Sequence, residues 1–249
     1  MMMTATQTHL FHEAQETVKG LWSVPKAWKD ESCFIIGGGY SAKKLDLSLL
    51  KPFNVIGCND AYIYGEEIVD ICYFGDLGWY DIHWTDEVSY DDIGTFKGLK
   101  HFKNLIVTNC HDKFLEKDQE TPVNPKVKVL KRMGKGINTI PSCVAWNGNT
   151  GSSAISLACH LGVKRIYLLG FDMCLTQEGS KQVANWHQNL KNPPNKDVYV
   201  KWLEYFKQIK ETASMIGLEI LNCSKVSRIK EFKFCEYEKA IEAERKNLK

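Results

Sequence analysis

The sequence predicts a Rossmann-like α/β fold: a doubly wound, mostly parallel sheet with helices on both faces and a lid region. Three observations carry this. Short apolar runs recur along the chain, several without strict polar alternation, as strands covered on both faces require. Amphipathic helical stretches alternate with them, the pattern of a doubly wound sheet. Gly162 and Gly217 stand as helix stops, each followed shortly by a strand.

Taken in order, residues 10–28 show helical spacing (Leu10, Phe11, Ala14, Val18, Leu21, Trp22) and read as part of an N-terminal helical extension over 1–30. Strands are expected at 33–36, 54–58, 71–74, 104–107, 127–130, 166–169 and 218–221. The clearest helices are 151–161 and 197–215, the second marked by Val198, Trp202, Tyr205, Phe206, Ile209 and Ala213. Two longer stretches, 75–100 and 173–196, break the rhythm after strands, and long connections there serve as lids or binding loops. The nucleotide-binding domain is drawn over 31–224 with its lid at about 173–196. Segment 225–249, charged with both signs, reads as a helix; a solvated surface or a homo-oligomer contact both fit.

The chain has 249 residues, 44% hydrophobic and 25% charged, which excludes wholesale disorder and supports a real core. A formal net charge of +2 gives no argument for nucleic-acid binding. The nine cysteines form no CxxC pair, so they read as free thiols in a reducing compartment rather than metal ligands. Residues 1–9 carry no apolar signal region and no run approaches a membrane span, so a cytoplasmic location is expected.

Five motifs carry the chemistry. Gly37-Gly38-Gly39-Tyr40-Ser41-Ala42 follows the first strand, where glycines let the backbone approach a ligand closely. It also matches the dinucleotide fingerprint, with Asp60 near the end of the second strand, so a nicotinamide or flavin oxidoreductase is an alternative. Against that, the next strand follows too soon for a crossover helix; a plain tight turn is the simplest reading. Asn59 offers donor and acceptor to a base or ribose, or closes an Asx turn with Asp60 as a cap. Asp76 ends the third strand in the same way.

Asn149-Thr150-Gly151-Ser152-Ser153 opens a helix, where free N–H groups and hydroxyls favour a phosphate or carboxylate; an ordinary N-cap is the bland version. Gly151, a poor helix former, points to a close approach to the backbone. Asp172 ends the most hydrophobic strand, and His187 lies in the polar stretch beyond, as a candidate general base or a surface histidine.

As an ordered set, Phe34–Ser41, Cys58–Tyr62, Thr150–Ser153 and Ile166–Asp172 resemble the bacterial sialyltransferases of glycosyltransferase family 42. They are equally similar to the 6-hydroxymethylpterin diphosphokinase-like proteins and their phage and bacterial relatives. The resemblance spans about residues 33–223. It implies a Rossmann-like fold and a nucleotide-sugar donor, with no metal and no cofactor. By that resemblance the donor meets Gly37 to Ser41, Asn59 and Thr150 to Ser152, and His187 is the catalytic base. The family's Gly-Pro-Ser turn is Gly39-Tyr40-Ser41 here.

The resulting expectation is a glycosyltransferase whose site comprises His187, Asp172 and Asp76 as catalytic residues. Gly37, Gly38, Gly39, Ser41, Asn59, Asp60, Thr150, Gly151, Ser152 and Ser153 would bind the donor. The acceptor is a glycan, a metabolite or a modified DNA base. One alternative is a pyrophosphokinase using ATP and magnesium on Asp60, Asp76 and Asp172; another is a non-catalytic nucleotide-binding phage protein.

Overall fold

The computed structural model describes residues 20–116, 121–178, 181–187 and 196–248. Its frame is an eight-stranded sheet made of β1 (Ser32–Ile36), β2 (Asn54–Cys58), β3 (Ile71–Phe74), β4 (Leu105–Thr108), β5 (Val127–Val129), β6 (Arg165–Leu169), β7 (Glu219–Asn222) and β8 (Lys233–Phe234). Their spatial order is β8-β7-β6-β1-β2-β3-β4-β5, and every pairing is parallel. In the central register Phe34 lies opposite Val55 on one side and Tyr167 on the other.

Alternate side chains of these strands feed two cores. Cys33, Ile35, Ile56 and Tyr73 face the helices α2 (Thr150–His160) and α3 (Lys196–Ile216), meeting Ile155, Leu157, Phe206 and Ile209. Phe34, Ile36, Val55 and Phe74 point the other way, into a core closed by Leu47, Leu50 and Ala240 of α4 (Tyr237–Asn247). Burial on both faces explains why the strands read as apolar runs. The two glycine stops hold: Gly162 and Gly217 take φ of +89° and +72°, and Leu218 N–H closes α3 on Ala213 O.

The chain runs outward from β1 through β2, β3, β4 and β5, then returns to lay β6 on the other side of β1. That reversal opens a crevice at the carboxyl ends of β1 and β6, where open α/β sheets hold ligands. Between β1 and β2 lie only two 3-10 turns, Tyr40–Lys44 and Leu47–Leu50. The glycine turn therefore opens no α-helix, and the dinucleotide fingerprint lacks the dipole that would hold a pyrophosphate.

Several elements differ from expectation. Residues 20–28 form no helix; they run as an extended strap tied by Trp22 N–H to Val129 O and Val24 N–H to Pro141 O, while 10–19 lie outside the described residues. The stretch 75–100 is structured: it holds α1 (Leu77–His83) and an antiparallel hairpin of Glu87–Tyr90 with Gly94–Lys97. Within the expected lid, Thr176–Glu178 pairs with Lys181–Val183, and 188–195 lie outside the described residues. In the C-terminal segment, 225–236 is irregular apart from β8, and the helix occupies only Tyr237–Asn247. All nine cysteines are free thiols. No helix among the described residues is long and apolar enough to cross a membrane.

Candidate active site

A cleft of about 670 Å³ opens at the reversal point. Its wall is assembled from the ends of β1, β2, β3 and β6, the start of α2 and the segment before residue 188. Ten of the thirteen residues proposed from sequence line it: Gly37, Gly38, Gly39, Asn59, Asp60, Asp76, Thr150, Gly151, Asp172 and His187. The glycine turn and the α2 start thus face one space.

The glycines of the turn have distinct reasons. A Cβ on Gly37 would stand 2.8 Å from Gly170 O, and one on Gly39 2.5 Å from the same atom and 2.7 Å from Asp172 Cγ. Both positions are dictated by the packing of β1's exit against β6's exit. Their N–H groups are also taken, by Leu169 O at 2.7 Å and Gly170 O at 2.8 Å. Of the three, Gly38 alone has room for a Cβ, which would make ordinary contacts with Asn185 Oδ1 at 3.5 Å and His187 Nε2 at 3.9 Å. Gly151 likewise makes room for protein: the Phe171 ring lies 2.9 Å from its virtual Cβ. The close approach inferred from sequence is real, but an aromatic side chain makes it.

Three proposed residues do not line the cleft. Ser41 gives its N–H (2.8 Å) and its hydroxyl to the Asp172 carboxylate. Ser152 Oγ bonds back to Asn149 O at 2.9 Å. Ser153 is on the buried side of α2, where Tyr73 OH (2.8 Å) and Asn109 Nδ2 (2.9 Å) meet its hydroxyl. Asp172 itself is a staple between the two strand exits, and burial raises its carboxyl above the ordinary range. Asp76 caps α1, accepting from Gly78 N–H at 2.8 Å and Trp79 N–H at 3.3 Å.

Asp60 is the hub. Its carboxylate, 4% exposed, accepts Tyr90 OH at 2.6 Å and Trp79 Nε1–H at 3.2 Å. His83 Nε2 lies 3.3 Å from Oδ1, and His187 Nε2 lies 3.4 Å from Oδ2. Burial lowers both histidines below the ordinary imidazole range, against the opposing pull of Asp60, so both rings are neutral near pH 7. Both contacts with the carboxylate are electrostatic, made through Nε2 of each ring. His83 Nδ1 is hydrogen-bonded with Tyr62 OH at 3.1 Å. His187 Nδ1 is buried with no hydrogen-bond partner.

His83 lies in the stretch 75–100, which the sequence marks only as a long connection. Its signal was Asp76 as a helix cap, with Trp79 and His83 following at i+3 and i+7, on one face of a helix. The two rings stack at 4.3 Å.

Two more lining residues bury a polar atom without a hydrogen-bond partner: Asn59 at Oδ1 and Asn149 at Nδ2. Asn59 holds φ at +52°, a left-handed conformation that asparagine tolerates. With Oδ1 unbonded it closes no Asx turn. Asn149 caps α2 through Oδ1, which accepts Ser152 N–H at 2.9 Å, leaving the amide nitrogen free.

The magnesium set of the pyrophosphokinase reading is not assembled. Asp60, Asp76 and Asp172 each already accept protein donors. Among the described residues no cluster of three or more His, Cys, Asp or Glu side chains suits a metal ion.

Fold and cleft together define a Rossmann-like α/β protein with a ligand crevice at its strand reversal. No protein-family model and no curated protein matches the chain. It is similar in structure to the MAf glycosyltransferase from Magnetospirillum magneticum AMB-1, at 12% identity and TM-score 0.53, over 98% of this chain and 40% of that one. It is also similar to the sialyltransferase CstII from Campylobacter jejuni in complex with cytidine-5'-monophosphate, at 16% identity and TM-score 0.47, over 82% and 84% of the two chains. Neither neighbour is a diphosphokinase. The likeness to the MAf glycosyltransferase, at 12% identity, speaks for the fold alone.

Proposed function

We propose that this chain is a glycosyltransferase that moves a sugar from a nucleotide-sugar donor to a hydroxyl acceptor, without a metal ion, using His187 as general base. The observation that carries the reading is that three residues lining one cleft each bury a polar atom without a hydrogen-bond partner: Asn59 Oδ1, Asn149 Nδ2 and His187 Nδ1. Buried polar atoms are otherwise hydrogen-bonded, so three unsatisfied groups on residues of one cleft fit a ligand that supplies complementary groups. The fold shared with the MAf glycosyltransferase supports the class.

In this reading the acceptor hydroxyl gives its proton to His187 Nδ1 as its oxygen attacks the anomeric carbon. The bond from that carbon to the donor phosphate breaks, and the nucleotide leaves with the electron pair. Its charge develops at the start of α2, beside Thr150, Gly151 and the Asn149 amide, where the helix dipole stabilises an anion. Asn59 orients base or ribose. Trp79, Trp146 and Trp202, all half-buried in the lining, suit the apolar faces of sugars. Asp60 fixes the His187 tautomer, the role of an orienting carboxylate behind a base.

A thermal-shift panel of CMP-, UDP- and GDP-sugars, ATP and NAD, with and without magnesium, tests the class, because stabilisation follows affinity for the folded state. A nucleotide sugar is expected to give the largest shift, unchanged by magnesium. A shift confined to ATP with magnesium, or to NAD, would overturn the proposal.

A further inference from the structure

We propose that Trp186 is a positioning residue that latches the segment carrying His187 onto the glycine turn, making the turn a docking rail for the base. The inference rests on the reading of His187 above and adds a residue to that site. Four observations carry it. Asn185 forms an antiparallel bridge with Gly39. Trp186 N–H bonds to Gly38 O at 3.1 Å, and its indole Nε1–H bonds to Gly37 O at 3.1 Å. The indole, 3% exposed, packs on Tyr64 at 4.8 Å between centroids. It also meets the His187 ring edge-on at 5.0 Å.

The residue before the base is therefore held by backbone, side-chain donor and stacking at once. Both carbonyls that receive it belong to glycines, and Gly37 must remain glycine for β6's exit to pass. A side chain locked by packing and hydrogen bonds keeps a reactive group in productive geometry, and a displacement of about 1 Å can cost about a hundredfold in rate. The groups facing His187 from the surrounding elements are Asp60 after β2, His83 on α1 and Tyr90 on the 87–97 hairpin. Freeing the ring from Trp186 changes its solvation and its distance to all three.

Two variants separate latch from filler. Trp186→Phe keeps an aromatic ring against Tyr64 but removes the indole donor; Trp186→Ala removes both. Expected for W186F is a kcat lower by about tenfold with donor KM within twofold, and for W186A a loss of about a hundredfold. The imidazole titration of His187, followed by NMR, should move up toward the ordinary histidine range in both, since burial is what lowers it. The NMR readout needs no turnover, so it judges the latch even if no glycosyl transfer is found. A W186F protein with wild-type kcat and an unmoved His187 titration would overturn the proposal, whatever its melting temperature. Should W186A not fold, W186F alone decides.

Discussion

At the scale of single residues, environment separates groups that look equivalent in the sequence. His83 and His187 both touch Asp60, yet only His187 keeps a nitrogen without a partner, because Tyr62 fills the other site on His83. Asp60→Asn should therefore slow kcat by about a hundredfold by loosening the His187 tautomer. It should also shift the acid limb of the pH–rate profile downward. Asp60 opposes the burial that lowers His187, so removing its charge lowers that histidine further. A pH–rate comparison checks both; an acid limb that rises would contradict the hub. Asp70 shows the same logic away from the cleft. Its Oδ2 accepts Val55 N–H at 2.8 Å, and burial pushes its carboxyl up to about 6. The folded state then holds a proton that the unfolded state releases near pH 4, so stability is present at low pH and falls as pH rises from about 4 to 6. Asp70→Asn keeps the acceptor and should remove this loss, up to about 3 kcal/mol, raising Tm at pH 7.5 but not at pH 4. Calorimetry at the two pH values decides.

At the scale of elements, the glycine turn divides its labour. Gly39→Ala forces a Cβ against Gly170 O and Asp172, so about 1–3 kcal/mol of stability should be lost in a denaturant melt. Gly38→Ala meets only ordinary contacts and should fold normally, while binding of the donor weakens because the new methyl enters the cleft. Equal loss of stability in both would contradict the division. The sequence could show that glycines were needed after β1 but not for whom, since Gly170 and Asp172 lie far along the chain. The same holds for Ser41, whose N–H and hydroxyl serve Asp172 rather than a ligand. Alternation of the β1 side chains is hidden because both faces are apolar, yet the run itself marks the strand. β8 left no such mark: Lys233 and Phe234 are both exposed, and a two-residue edge strand has no pattern to read. Short α1 was equally obscure, its helix lying inside a polar, aromatic stretch that resembles a loop.

At the scale of the whole molecule, the strand order brings these parts together. Local periodicity made the strands and the two main helices legible, and the rule for open α/β sheets told which loops would share a rim. Long-range pairings such as Asp60 with His83 and Trp186 with Gly37 arise only when β1, β2 and the 183–187 segment are folded against one another. The central claim is that the cleft at the β1–β6 reversal consumes a nucleotide sugar through His187. Its most direct test is nucleotide release from a panel of sugar donors, with and without acceptor glycans and with a chelator present, for wild type and His187→Ala. One donor should be consumed with stoichiometric nucleotide release that the chelator leaves unchanged, and H187A should be slower by about a hundredfold or more. No donor consumed over long incubation, or an H187A rate equal to wild type, would contradict it.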